Sequence, residues 1–263
     1  MTPEMRTWQQ LAPKRGALAR LQPGDLQVWA ERLDFDSERA ERHQSDDLAS
    51  VTEAVLERAL AAGAEAVVLS GSTARGHRTR VSDLDYHVIG ASSLDVADLP
   101  QEIDLYADGV ERFWRKLREG DDFAHWSVWY GCVLFDSGVM REAAAFVADR
   151  DLWPDPVRKM RQARHALDFA ERFIESGDYG PALEQTRGAL SLVTRSVLLS
   201  SDVFPLARDE MPDQLAGLGR VRLANDLQRS IRERPRAEEL SAAVANARAI
   251  AQEERSAGRR IAA

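Results

Sequence analysis

The sequence predicts an α+β protein, with a domain of short strands and helices over residues 47–150 and a helical bundle over residues 151–263. Three observations point there. Two strand patterns, "AEAVVLS" and "SDLDYHVI", follow closely on one helix pattern, and a third, "IDLYAD", comes soon after. Glycines punctuate these runs at the places where strands and helices should stop. From Pro154 onward only helical spacing remains.

The elements follow in chain order. Residues 1–46 form an N-terminal extension of uncertain structure, polar and interrupted by Pro3, Pro13 and Pro23, with "DLQVWAERL" reading as one short helix. Asp46 or Asp47 caps the next helix, "DLASVTEAVLERALAAG", in which Leu48, Val51, Val55, Leu56 and Leu60 share helical spacing and Gly63 ends the run. "AEAVVLS" is an apolar strand bounded by Gly63 and Gly71. "STARGHR" then opens a short helix. In "SDLDYHVI", Leu84, Tyr86 and Val88 take one parity, and Asp83, Asp85 and His87 the other. In "IDLYAD", Ile103, Leu105 and Ala107 alternate with Asp104 and Tyr106. "DGVERFWRKLREG" is an amphipathic helix with Val110, Phe113, Trp114 and Leu117 on one side. "HWSVWYGCVLFDSG" reads as one strand or as a hairpin around Gly131, with Trp126 and Trp129 as core residues rather than a stacking platform for a base. The bundle starts with two helices joined at Gly177-Asp178, where Asp178 is the N-cap, Pro181 sits in the first turn, and Leu183, Leu190, Val193 and Val197 make a core stripe. "PDQLAGLGRVRLANDLQRSIR" and "PRAEELSAAVANARAIAQEER" add two more helices, and "SAGRRIAA" frays.

The chemistry is concentrated in "VVLSGSTARGHRTRVSDLDYHVIG". Gly71 and Gly76 have the spacing of a P-loop, but His77 and Arg78 stand where that motif needs Lys and then Ser or Thr. The alternative is a Gly-Ser turn that brings backbone close to a ligand, followed by a helix start that favours an anion. Asp83 and Asp85 project together from one strand face and repel each other unless a cation lies between them. A hard divalent cation such as Mg²⁺, which takes carboxylate and phosphate oxygens, answers that need.

Gly71-Ser72, ten intervening residues, and Asp83-Leu84-Asp85 resemble the signature of the DNA polymerase β-type nucleotidyltransferase superfamily, and within it the small bacterial aminoglycoside and minimal nucleotidyltransferases. The resemblance runs from about Ser50 to Asp136. It implies a nucleotidyltransferase domain with a small mixed β-sheet flanked by helices. It also implies catalysis and metal binding by Asp83, Asp85 and a third acid from a neighbouring strand. Asp104 matches that acid, and Asp108 is the alternative. Gly71, Ser72, Arg75 and Ser82 would face the nucleotide, with Arg78 and Arg80 as other candidates for a clamp on the leaving group. Two Mg²⁺ ions would assist transfer of AMP from ATP, the default nucleotide, to an acceptor hydroxyl on a small molecule, releasing pyrophosphate. Antitoxin-type members of the superfamily, which modify a protein partner, and a non-catalytic nucleotide-binding protein are the other readings. Arg158 and His165 fall within the loose Arg/His spacing of helical ribonuclease domains, but Lys159 departs from that pattern.

Composition narrows the classes. The chain has 263 residues, 44% of them hydrophobic, as in a globular protein of one large or two modest domains. A net charge of −8 argues against general affinity for nucleic acid. Of the 35 basic residues only Lys14, Lys116 and Lys159 are lysines, a bias that a GC-rich genome explains. Cys132 is the only cysteine, which excludes an intramolecular disulfide and reads as a small buried residue. The segment "MTPEMRTWQQ" lacks the apolar core of a signal peptide, and no run is apolar enough to span a membrane, so a cytoplasmic protein without a membrane partner is expected. His43, His77, His87 and His125 show no metal-ligand spacing.

Overall fold

A computed structural model of the chain describes residues 45–75, 83–91, 94, 103–150, 152–233 and 235–261. The expected N-terminal extension lies almost wholly outside the described residues. The rest divides into two compact units, the first closing at Pro154 and the second opening at Asp155.

The first unit is built on a four-stranded mixed sheet. Helix α1 (Ser45–Ala61) leads to β1 (Ala66–Leu69), the short α2 (Gly71–Ala74) and β2 (Leu84–Ile89). After β3 (Ile103–Asp108) come α3 (Val110–Arg118), α4 (Asp122–Trp129), β4 (Cys132–Asp136) and α5 (Val139–Arg150). The strand order is β3-β2-β1-β4, with β1 antiparallel to both β2 and β4, and β2 parallel to β3. All four residues of β1 are buried, as expected of a central strand covered on both faces.

Alternation divides the side chains between two cores. Val67, Leu69, Leu84, Tyr86 and Val88 pack with Val55 and Ala59 of α1. Ala66, Val68, Ile89 and Val133 pack with Phe113, Leu117, Ala124, Val128, Met140 and Ala143 from α3, α4 and α5. Helix α1 keeps Val51, Val55 and Leu56 of the expected stripe against the core and departs from it at one end. Thr52, Val55 and Ala59 face the sheet, Leu60 is exposed, and the Thr52 hydroxyl reaches Tyr86 Oη at 2.7 Å. That hydrogen bond gives the buried tyrosine its partner, which a stripe of leucines would not supply.

"HWSVWYGCVLFDSG" is neither one strand nor a hairpin: its first part belongs to helix α4. The Asp121 carboxylate accepts from the amides of Phe123 and Ala124 at 3.2 Å each, and that cap outweighs the strand preference of Trp and Val. Gly131 then turns the chain into β4 so tightly that a Cβ there would meet Ser127 O and Val68 Cγ1 at 2.3 Å. Trp126 is buried, as expected.

The second unit holds α6 (Pro156–Glu175), α7 (Tyr179–Ser200), α8 (Met211–Gly217), α9 (Val221–Arg232) and α10 (Ala237–Ile261). The helix expected over "PDQLAGLGRVRLANDLQRSIR" is two, α8 and α9, because Gly219 adopts φ +73° and turns the chain. The C-terminal segment expected to fray continues α10 to Ile261. One core joins the five helices through Leu167, Leu190, Val193, Leu215, Leu227 and Val244. Arg248 of α10 ties α6 at its rim, 2.8 Å from Asp168 and 2.6 Å from Glu171.

Candidate active site

Strands β2 and β3 run side by side in register, so Asp85 stands opposite Asp104, His87 opposite Tyr106 and Ile89 opposite Asp108. Cross-strand partners share a face, which puts Asp85, His87, Asp104, Tyr106 and Asp108 on one side of the sheet. That side is open at one end and closed at the other. Asp104 and Tyr106 are exposed and Asp85 is half-buried, whereas His87 and Asp108 are buried beneath α3 and α4.

At the open end the link between β1 and β2 is fastened to the acidic segment. The amide and hydroxyl of Ser70 both donate to the carbonyl of Asp85, at 2.7 and 3.2 Å, and Thr73 Oγ1 donates to the carbonyl of Asp83 at 3.3 Å. Gly71 has φ +70°, and a Cβ built on it would lie 1.8 Å from Asp85 Oδ2. The close approach this glycine permits is therefore that of the Asp85 carboxylate. Ser72 is half-buried in α2 and Arg75 is its buried C-cap, 8% exposed. Ser82, together with His77, Arg78 and Arg80, lies outside the described residues.

Burial, then the charge of Asp104, then that of Asp83, push the Asp85 carboxyl from 3.8 up to about 6. Two neighbouring carboxylates thus act on Asp85. The donor chemistry of the three, oxygen-only and partly open to solvent, suits a hard divalent ion. Their spacing is looser than the sequence implied: among the described residues no three His, Cys, Asp or Glu side chains stand close enough to hold a metal. Asp85 is turned onto Gly71 and Asp83 stands just ahead of the strand, so the three do not close on one point.

The closed end carries a network that sequence reasoning missed. His87 Nε2 lies 3.1 Å from Asp108 Oδ2 and His87 Nδ1 lies 2.9 Å from Ser127 Oγ. Lys116 Nζ donates to both Asp108 oxygens, at 2.9 and 2.7 Å, and Arg112 Nε approaches Oδ1 at 3.0 Å. Burial lowers the His87 imidazole below 6.5 against the pull of Asp108. The ring, neutral at pH 7, donates from Nε2 to Asp108, and its Nδ1 faces the Ser127 hydroxyl, whose one proton also has the Phe123 carbonyl within reach at 3.1 Å. For Asp108 burial works to raise the carboxyl, but hydrogen bonds from His87 and Lys116 and the Lys116 charge outweigh it and hold it at about 2. Asp108, the alternative third acid, is committed to these partners. The parity of His87 with Asp85 was legible in sequence, but its partners, 21 and 40 residues away, were not.

Other residues singled out in the sequence lie elsewhere. Burial pushes the Cys132 thiol up to about 12, which leaves almost no thiolate at neutral pH. Arg158 and His165 lie on α6, with His165 exposed.

No family model matches the chain, and no curated protein matches it. Among solved structures it is similar to a nucleotidyltransferase-like protein from Exiguobacterium sibiricum 255-15, with a TM-score of 0.40 and 14% identity, over 78% of this chain and 74% of the other. A likeness of that degree decides neither activity nor site. Among the described residues no helix is long and apolar enough to cross a membrane.

Proposed function

We propose that this protein transfers a nucleoside monophosphate, AMP by default, from a nucleoside triphosphate to an acceptor hydroxyl on a small molecule. One observation carries the reading. Asp85 and Asp104 are paired across parallel strands at the open end of the sheet, with Asp83 adjacent and the Gly71 turn pressed on Asp85. Like charges gathered at a solvent-facing strand end cost stability, and proteins keep such clusters where a ligand neutralises them.

The three acids do not form a cage by themselves, so Mg²⁺ would arrive with the triphosphate and find its carboxylate oxygens at Asp85 and Asp83, with Asp104 on the acceptor side; when bound the ion would supply positive charge for the triphosphate and lower the pKa of the acceptor hydroxyl. The bond from the acceptor oxygen to the α-phosphorus forms as the bond to the bridging oxygen of pyrophosphate breaks. Asp104, exposed on the edge strand, takes the hydroxyl proton. The Gly71-Ser72 turn lies beside Asp85 and would border the phosphates.

Pyrophosphate release tests this, measured with ATP and Mg²⁺ against a panel of hydroxylated small molecules. Asp104→Asn should spare nucleotide affinity and remove most of the rate, and Asp85→Asn should lower both. The open spacing of the three acids favours one other reading, nucleotide binding without transfer. Tight Mg-ATP binding with no pyrophosphate released for any acceptor would establish that reading instead.

A further inference from the structure

Strand β3 is an edge strand, and its register against β2 decides whether Asp104 faces Asp85. The apolar pattern does not fix that register. Ile103, Leu105 and Ala107 are only half-buried, and a slip of two residues keeps them on the same face while carrying Asp104 away from Asp85. Something else has to forbid the slip.

We propose that the contact between His87 and Asp108 is the register lock of β3, and that both are positioning residues for the acidic pair at the other end of the same face. His87 belongs to β2 and Asp108 to β3, and the contact between them is diagonal, because His87 is paired with Tyr106. The imidazole is itself immobilised. Ser127 of α4 holds its other nitrogen at 2.9 Å, and the Phe123 ring lies 5.1 Å away. The carboxylate is held on the β3 side by Lys116 and Arg112 of α3. Sliding β3 by two residues so that His87 stands opposite Asp104 and Ile89 opposite Tyr106 would bring Tyr106 to the Nε2–H of His87 and take the buried carboxylate away from its histidine. A buried donor and a buried charge would both lose a partner, which a half-buried apolar face cannot offset. The lock itself stands on the strand geometry. Only its consequence, that losing it impairs transfer, rests on the proposed activity.

Cross-strand disulfide trapping reads the register without nucleotide. In a Cys132→Ser background, the pair Asp85→Cys and Asp104→Cys reports the observed register, and the pair Ile89→Cys and Tyr106→Cys, diagonal in that register, reports the slip. Directly opposed strand residues fall within disulfide reach and diagonal ones largely do not, so the first pair should oxidise about tenfold faster than the second. Adding His87→Leu or Asp108→Leu should remove most of that preference. Asp108→Asn, whose amide oxygen still accepts from His87, should retain it, although all three changes lower the melting temperature. An unchanged preference in folded His87→Leu would overturn the lock, as would no preference in the parent pairs. Should the leucine variants not fold, the double change His87→Phe with Asp108→Asn takes their place, because it removes the contact and leaves no buried charge: a reduced preference supports the lock and an unchanged one refutes it. A wild-type chain that transfers no nucleotide yet shows this dependence sustains the lock and refutes the proposed activity alone.

Discussion

Replacing Asp85 by Asn should stabilise the fold while abolishing activity. The Asp85 carboxyl is raised from 3.8 to about 6 by burial and by Asp104 and Asp83. At 1.36 kcal/mol for each tenfold change, its ionised form is disfavoured in the native state by about 3 kcal/mol, an upper figure because the site is partly open to water. The sign follows from linkage. A carboxyl whose folded pKa lies above its unfolded one adds stability that is fully present below 3.8 and is lost as pH rises through about 6. Asn is close to Asp in size and carries no charge, so the gain should be near zero at pH 3.5 and complete by pH 7. Even a third of the upper figure is about 1 kcal/mol, or about 2–4 °C in a protein of this size. Urea unfolding of both proteins at several pH values between 3.5 and 7.5 measures it. A loss of stability at pH 7, or a gain independent of pH, would refute the reasoning and return Asp85 to the ordinary surface acids.

Other outcomes follow from the same geometry. Gly71→Ala places a methyl 1.8 Å from Asp85 Oδ2 at φ +70°, and should cost about 1–3 kcal/mol; the cost should shrink in an Asp85→Ala background, which a double-mutant cycle by denaturation reads. Asp104→Asn should reduce pyrophosphate release by roughly 10²–10⁴-fold with nucleotide affinity intact by calorimetry. Cys132, with its thiol pushed to about 12, should react with iodoacetamide at pH 8 on the order of 10³-fold more slowly than a free thiol, and at the ordinary rate in denaturant, as followed by mass.

Legibility in sequence tracked the range of the forces involved. Strand β2 and the pairing of Asp83 with Asp85 were readable because period-two alternation is local. The same holds for β3 and for the split of the bundle at Gly177-Asp178. Helix α4 was misread because its cap, Asp121, lies outside the aromatic run that suggested a strand, and only the burial of Trp126 in the folded chain shows why it is tolerated in a helix. The break between α8 and α9 was missed because a single Gly219 is compatible with either outcome until its φ is known. The convergence of the three acids was expected from motif spacing, which fixes the face but not the side-chain direction. The contact of Asp85 with Gly71 decides the latter, and it depends on how β1 turns into α2.

The choice between Asp104 and Asp108 turns on electrostatics rather than spacing. Both lie on the same face of β3, four residues apart, and the alternation cannot tell them apart. Asp108 stands against Arg112 and accepts from His87 and Lys116, and the latter two hold its carboxyl at about 2 against the effect of burial. Its charge is satisfied by the fold, and a ligand placed there would have to displace buried partners. Asp104 is exposed opposite Asp85, and its charge works against that neighbour. An acid that the fold neutralises supports structure, and a pair of acids that the fold leaves in conflict is completed by something from outside. One sheet face thus carries both kinds, and the buried one stands where it can hold the edge strand that presents the other.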